Sequence, residues 1–465
     1  MAAARRPLPP LPPRTRLRRL QASAARHPAA TLWWLRPAPL MLVLVLPVYL
    51  SYLMFPFENV VPKRYVPSIE YLWGIALILL IATGAWLASQ GAGSAVHRSA
   101  PDARRATPLR VDIPATYLAV LLAATLLAYA VWFGPLLGNP GKVIELLTGV
   151  RGNLRDEIET QPGITTLTQC GVAFIVLYVI KRHAGMTPPA PWERAAVVLI
   201  FALTAVRTVL WSERLALIEA TVAYVVTQAA FLRLRSLDAW RFAATLPFVG
   251  TLLLYVAFTV TEYFRSWVFY RNVYDSVWTF SFERLTSYYA VATNSGIGLL
   301  RENSRWPEYT GHYVLEWAYR LPFVGEVLSD LVDNDAREQY RRFLEDHARI
   351  EFNNPTGFFI TTFDIGYVGA ALYFFAAGLL VGVAWKSWFR HRIGGLMFYP
   401  FCFLFLLELL RFNYFAASRF IPIAGSLLVA FLIIALPTVR RRAHPDDIRT
   451  RGGIGHHGSA IERTL

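Results

Sequence analysis

The side chains with the most chemical potential in this chain are arginines set beside carboxylates at the ends of apolar stretches. Arg207 closes one such stretch, Arg214 opens the next, Arg265 follows a third, and Arg411 and Arg419 bracket a short turn near the C-terminus. A guanidinium stays charged and presents a planar fork of N–H donors matching phosphate oxygens, so five converging on one face suit a diphosphate. Singly, each has a plainer use, because an arginine at a helix end can snorkel to the interface or pair with an acid. Acids are at hand. Glu213 adjoins Arg214, Glu219 follows, and Glu408 precedes Arg411 by three residues, the spacing of an intrahelical ion pair.

Two further acids could move a proton. Glu351 stands in the run Ile350-Glu351-Phe352-Asn353-Asn354-Pro355-Thr356-Gly357. There Pro355 and Gly357 shape how the chain turns into the next apolar stretch, and Asn353 and Asn354 could orient sugar hydroxyls. The run serves equally well as a helix N-cap; as a site, Glu351 would accept a proton from a hydroxyl. Asp364 lies inside the apolar stretch itself, either capped by polar neighbours such as Thr361 and Thr362 or functional. No glycine-rich phosphate loop, HExxH or CxxC is present, and His312 and His347 stand outside any metal-ligand spacing, so neither nucleotide hydrolysis nor a metal or other cofactor is expected. Cys170 and Cys402 read as buried small hydrophobes rather than a disulfide.

The elements that must position these groups are membrane helices. Of 465 residues, 55% are hydrophobic and only 17% charged, the wrong balance for a solvated surface. The net charge of +15 sits in short runs between apolar segments, where orientation in a membrane explains it and a nucleic-acid partner is excluded. Only four of the 46 basic residues are lysines, a bias of GC-rich bacterial coding sequence. Apolar runs near 38–56, 69–89, 114–136, 163–180, 193–210, 213–231, 242–262, 356–385, 395–411 and 419–438 are each about the length that crosses a bilayer. They are too long and too uniformly apolar for barrel strands. The expected fold is thus all-α and polytopic, with ten transmembrane helices. Alternate connections carry thirteen Lys and Arg against nine on the other side, and both tails join the richer set, so both termini should be cytoplasmic.

Five regions follow. Residues 1–36, with eight arginines, no acid and PLPPLPP, read as a disordered tail. Residues 37–262 hold seven helices and 356–438 three, while 439–465 form a second disordered tail. Between them, 263–355 make a 93-residue outer cap of ten arginines and thirteen acids, near-neutral and with helices of its own. Its first part, rich in Trp267, Tyr270, Tyr274, Trp278 and Tyr288, either lies along the headgroups or stacks sugar rings.

The cap, the arginines from 207 to 214, the run Glu262-Tyr263-Phe264-Arg265-Ser266-Trp267 and the run Asn353-Asn354-Pro355-Thr356-Gly357-Phe358 together resemble bacterial oligosaccharide repeat-unit polymerases, the O-antigen (Wzy-like) polymerase family. The resemblance covers the chain from first span to last through diffuse motifs. It implies a glycosyltransferase in the bacterial inner membrane that moves a growing glycan from undecaprenyl diphosphate onto an incoming lipid-linked repeat unit, without metal or nucleotide. A chain-length regulator would be an implied partner. Related O-antigen ligases carry a His-Asn element before the helix that follows their cap; here Glu351, Asn353 and Asn354 occupy a similar place and no histidine does. A ligase-like transferase and a lipid-linked oligosaccharide flippase are the alternatives. A metal-dependent transferase using polyprenyl-phosphate sugars would need an acidic pair in the first outer loop, where residues 55–68 offer Glu58 alone.

Overall fold

The computed structural model describes residues 27–90, 109–148, 161, 163–211, 213–234, 236–303, 306, 309–321, 323–331, 336–348 and 352–442. They form an all-α membrane protein. Each of the ten apolar stretches carries helix: α1 (Pro37–Met54), α2 (Ile69–Ser89), α3 (Ala115–Leu137), then, after a short α4 (Pro140–Leu147), α5 (Cys170–Ala184), α6 (Pro191–Trp211), α7 (Leu215–Phe231) and α8 (Leu237–Glu262). The region expected as a cap contributes α9 (Val277–Glu302), α10 (Val324–Leu331) and α11 (Ala336–His347). The chain closes with α12 (Gly357–Phe389), α13 (Ile393–Glu408) and α14 (Phe420–Arg442). Six of these, α1, α2, α3, α6, α8 and α12, are long and apolar enough to cross a membrane, whereas α7 and α13 are shorter apolar helices.

The tightest seam is between α2 and α12. A Cβ on Gly84 would collide with the carbonyl of Phe375, one on Gly378 with that of Ile81, and one on Gly382 with that of Ala85. Small residues at these three places let two backbones touch, which gains dispersion contacts where lipid tails offer no hydrophobic drive. Helix α12 breaks at Gly366, whose φ of 73° and ψ of 175° few other residues adopt. The segment before the break, Gly357 to Asp364, is buried throughout. At its start Thr356 caps the helix, its hydroxyl accepting from the Phe359 amide at 3.2 Å.

One expected boundary is corrected. Within residues 27–36, Ala29, Ala30, Leu32, Trp34 and Leu35 are buried, and the remainder of the expected tail, 1–26, lies outside the described residues. His27–Pro28 pairs antiparallel with Arg233–Leu234. Trp33 and Trp34 donate their indole N–H groups to the carbonyls of Ala244 and Ala243, each at 2.9 Å, and Tyr399 donates to the Leu35 carbonyl at 2.6 Å. Two tryptophans and two leucines bury too much apolar surface to remain in water. The helix at the other end runs to Arg442, past the expected stop at 438, and 443–465 are outside the described residues. Both cysteines are free and buried.

Candidate functional site

The sites of interest lie at one end of the bundle, where α6, α8 and α13 finish and α7, α12 and α14 begin. Two turns meet there. Arg207, in the last turns of α6, donates to the Thr168 hydroxyl at 2.9 Å and to Glu213 at 2.5 Å, its guanidinium lying 5.6 Å from the Trp132 ring centre. Arg419, just before α14, reaches the other oxygen of Glu213 at 2.6 Å and Glu219 at 2.7 Å. Tyr414 completes the chain by donating to Glu219 at 3.0 Å. Burial pushes the Glu213 carboxyl upward, but Arg419 and then Arg207 more than offset this and hold it at about 2.

A second group is built around Glu262, the fully buried last residue of α8. It pairs with Arg214 and, at 3.1 Å, with Arg284 of α9. Arg214 also donates to Thr261 at 2.8 Å and lies 3.7 Å from the Phe258 ring centre. Arg284 is packed among Tyr270, Phe280 and Phe352, each ring centre within 5.7 Å. Thus Tyr270 and Tyr274, two aromatics of the expected interfacial stretch, pack with Phe280 around an arginine, while Trp278 remains half exposed.

Glu408 and Arg411 form the third and loosest group. Their side chains approach only to 3.8 Å, Glu408 is buried, and about a third of the Arg411 side chain (32%) is exposed. Glu408 lies within electrostatic reach of Glu219 and Arg419, and Tyr289 within reach of Arg411 and Arg214, which joins the three groups into one cluster. Burial, then Glu408, pushes the Tyr289 phenol up to about 12.

The structure therefore brings Arg207, Arg214, Arg411 and Arg419 to one end of the bundle, with Arg284 beside them. Arg265 falls in the helical turn Tyr263–Trp267; its side chain is outside the described residues, as is Glu351 altogether. Asn353 is exposed and Asn354 half-buried; the backbone carbonyl of Asn353 accepts from Tyr340 at 2.9 Å. Asp364 has a task the sequence did not show. Its carboxylate accepts from the Thr310 hydroxyl at 3.1 Å and the amides of Tyr313 and Val314 at 2.8 and 2.9 Å, while its carbonyl accepts from the Tyr309 amide at 2.8 Å. Thr361 instead accepts from Asn413 at 3.3 Å, and Thr362 from Trp73 at 3.1 Å. Asp364 thus ties the loop at 309–314 to the break in α12, with both oxygens engaged by donors that a ligand would have to displace.

Sequence reasoning also missed Arg284, Tyr289 and Asn413. Arg284 sits in a helix of mixed composition where nothing marks one arginine above its neighbours, and Asn413 lies in an aromatic turn that reads as a plain connection. Among the described residues, no group of three or more His, Cys, Asp or Glu side chains is placed to hold a metal ion. Chemically, five guanidiniums face four carboxylates (Glu213, Glu219, Glu262 and Glu408), and four of the five, Arg207, Arg214, Arg284 and Arg419, are already oriented by them. No protein-family model, curated protein or solved structure matches the chain.

Proposed function

We propose that this protein is a membrane glycosyltransferase that polymerises undecaprenyl-diphosphate-linked oligosaccharide repeat units at the outer face of the bacterial inner membrane. In this reading all ten apolar helices span, both termini are cytoplasmic and residues 263–355 lie outside. The observation that carries it is the convergence of Arg207, Arg214, Arg284, Arg411 and Arg419 at a single end of the bundle. Transfer of the glycan leaves a lipid diphosphate whose growing negative charge must be stabilised, and donors fixed in advance do this without reorganisation. The buried glutamates supply that fixing. Glu213, Glu219 and Glu262 hold Arg207, Arg214, Arg284 and Arg419 in place until a stronger, doubly charged oxyanion competes for their free edges. With Arg265 included, these arginines form the diphosphate clamp, and Asn353 and Asn354 at the mouth orient sugar hydroxyls.

A second reading, a lipid-linked oligosaccharide transporter, is favoured by one observation: the break at Gly366, since interrupted membrane helices are a device of transporters. Reconstitution separates the two. Purified protein in liposomes should lengthen the lipid-linked oligosaccharide extracted from cells lacking it, and should do so in the presence of chelator. Translocation between leaflets without lengthening would establish the transporter. Arg411→Lys and Arg419→Lys should each lose activity, because lysine cannot form the planar bidentate contact. Topology is checked by single cysteines: one near Arg104 should resist an impermeant thiol reagent in intact cells and one near Asn334 should react.

A further inference from the structure

Among the buried polar atoms of the arginine end that lack a hydrogen-bond partner among the described residues, two belong to one loose acid–base pair. Glu408, on the last turn of α13, is only 5% exposed, and its Oε2 is buried without a donor. The Nε of Arg411 is buried without an acceptor. The nearest approach of the two side chains, from Arg411 Nη1 to that same Oε2, is 3.8 Å, too long for a hydrogen bond. The neighbouring acids are differently placed: Glu213, Glu219 and Glu262 each hold an arginine at 3.1 Å or closer. An uncompensated acceptor beside an uncompensated donor is costly to bury, and natural structures keep few of them.

A hydroxyl group answers both atoms at once, since it donates to a carboxylate while accepting from a guanidinium. With hydrogen bonds of about 2.7 Å to the carboxylate and about 2.9 Å to a guanidinium nitrogen, one oxygen spans a gap wider than a direct hydrogen bond and up to roughly 5.5 Å, and the 3.8 Å from Nη1 to Oε2 falls in that range. The partial exposure of Arg411 gives such a group a way in from the outer end.

We propose that Glu408 and Arg411 seat the acceptor hydroxyl of the incoming glycan and that Glu408 takes its proton as the glycosidic bond forms. This rests on the polymerase reading above and assigns its base. In the step, a lone pair of the hydroxyl oxygen bonds to the anomeric carbon of the donor glycan. The bond from that carbon to the lipid diphosphate breaks, its electron pair staying on the diphosphate oxygen. The proton passes to Glu408 and from there to solvent, while Arg411 orients the attacking oxygen. Charge and atoms balance without an oxidant or reductant.

The test uses full-length protein in liposomes, with the lipid-linked oligosaccharide extracted from cells lacking the protein as substrate and undecaprenyl diphosphate as a binding probe. Glu408→Gln should lower turnover by about 10²- to 10⁴-fold, abolish the acid limb of the pH–rate profile, and leave melting temperature and undecaprenyl-diphosphate binding near wild type. Glu408→Asp, which keeps a carboxylate one methylene shorter, should recover only part of the turnover and keep an acid limb displaced from that of the wild type. If the wild type lengthens chains and Glu408→Gln does so equally well, or if Glu351→Gln alone is dead, Glu408 is not the base and the polymerase reading survives. Should Glu408→Gln not fold, a folded Glu408→Asp with wild-type turnover and an unshifted acid limb would overturn the assignment too. A wild type that lengthens nothing overturns both readings together.

Discussion

Helices α8 and α9 are each 26 residues long and pack against each other, yet they are built on opposite terms. α8 is apolar nearly throughout, but only Ala243, Phe258, Thr259 and Glu262 are buried, and Phe242, Phe248, Leu252 and Leu253 face outward. α9 carries serines, threonines, an asparagine and two arginines, and its residues 290–300 are buried without exception. The difference separates two properties that are interchangeable in water. In a membrane an apolar side chain is content facing lipid, so hydropathy marks contact with lipid rather than burial. A polar helix goes inside when its groups find partners: Asn294 accepts from the Tyr65 amide at 2.7 Å and donates to the Lys63 carbonyl at 2.9 Å, and Arg284 meets Glu262.

The contact between the two helices is most readily broken at Glu262, the one acid at the end of α8. Glu262→Gln leaves Arg214 and Arg284 in a buried site with no carboxylate between them. Removing one partner of a buried pair costs about 3–5 kcal/mol, so the purified variant should melt far below the wild type or fail to accumulate. Restoration by adding Arg284→Met would show that the loss came from the stranded charge rather than from the helix ends.

The neighbouring group around Glu213 pairs with arginines of α6 and of the turn before α14, and it provides the control. Its carboxyl is held at about 2 against an ordinary 4.5. A lowered folded-state pKa contributes stability that is fully present above the unfolded value and disappears as pH falls through the folded one. The contribution, on the order of 3 kcal/mol at neutral pH, should therefore vanish between about pH 4.5 and 2. Glu213→Gln should flatten melting temperature over that window while leaving the α8–α9 contact intact. Equal acid sensitivity in variant and wild type would show that Glu213 is not the group responsible.

The contrast also explains what could be read in advance. α8 announced itself because an apolar stretch of that length has few other uses, and the same holds for the other apolar stretches that carry helix. α9 did not, since burial of Asn294 depends on backbone groups at 63–65, more than 200 positions away. Trp33 and Trp34 were hidden by the arginine- and proline-rich run before them, although two adjacent tryptophans already argue against a solvated tail. At the site, charge type and helix-end position were legible for Arg207, Arg214, Arg411 and Arg419. Which acid each would meet was not: Glu213 adjoins Arg214 in sequence but pairs with Arg207 and Arg419. Spacing alone placed Glu408 with Arg411, and the structure adds that the pairing is too loose to satisfy either.

A smaller effect tests how tightly α9 is enclosed. A Cβ on Gly296 would press on the Pro355 carbonyl and on Phe359, so Gly296→Ala must displace the start of α12 rather than a flexible side chain. Overpacking of this kind costs about 1–3 kcal/mol. Thermal unfolding should register it, and a variant as stable as the wild type would mean that α12 yields more readily than its packing implies.

The least effect is expected on the outward face of α8, and its smallness is the informative part. Leu253 is 64% exposed. Truncating a leucine of this kind inside a core leaves a cavity and costs about 2–5 kcal/mol. At Leu253 the lipid tail moves into the space instead, so Leu253→Ala should change the stability of the reconstituted protein by no more than about 0.5 kcal/mol. Leu253→Arg, at the same position, should reduce membrane insertion by roughly 2.5–3.5 kcal/mol if the residue lies near the middle of the bilayer. A large loss from alanine together with tolerance of arginine would reverse both expectations, and would mean that this face of α8 meets protein or water rather than lipid.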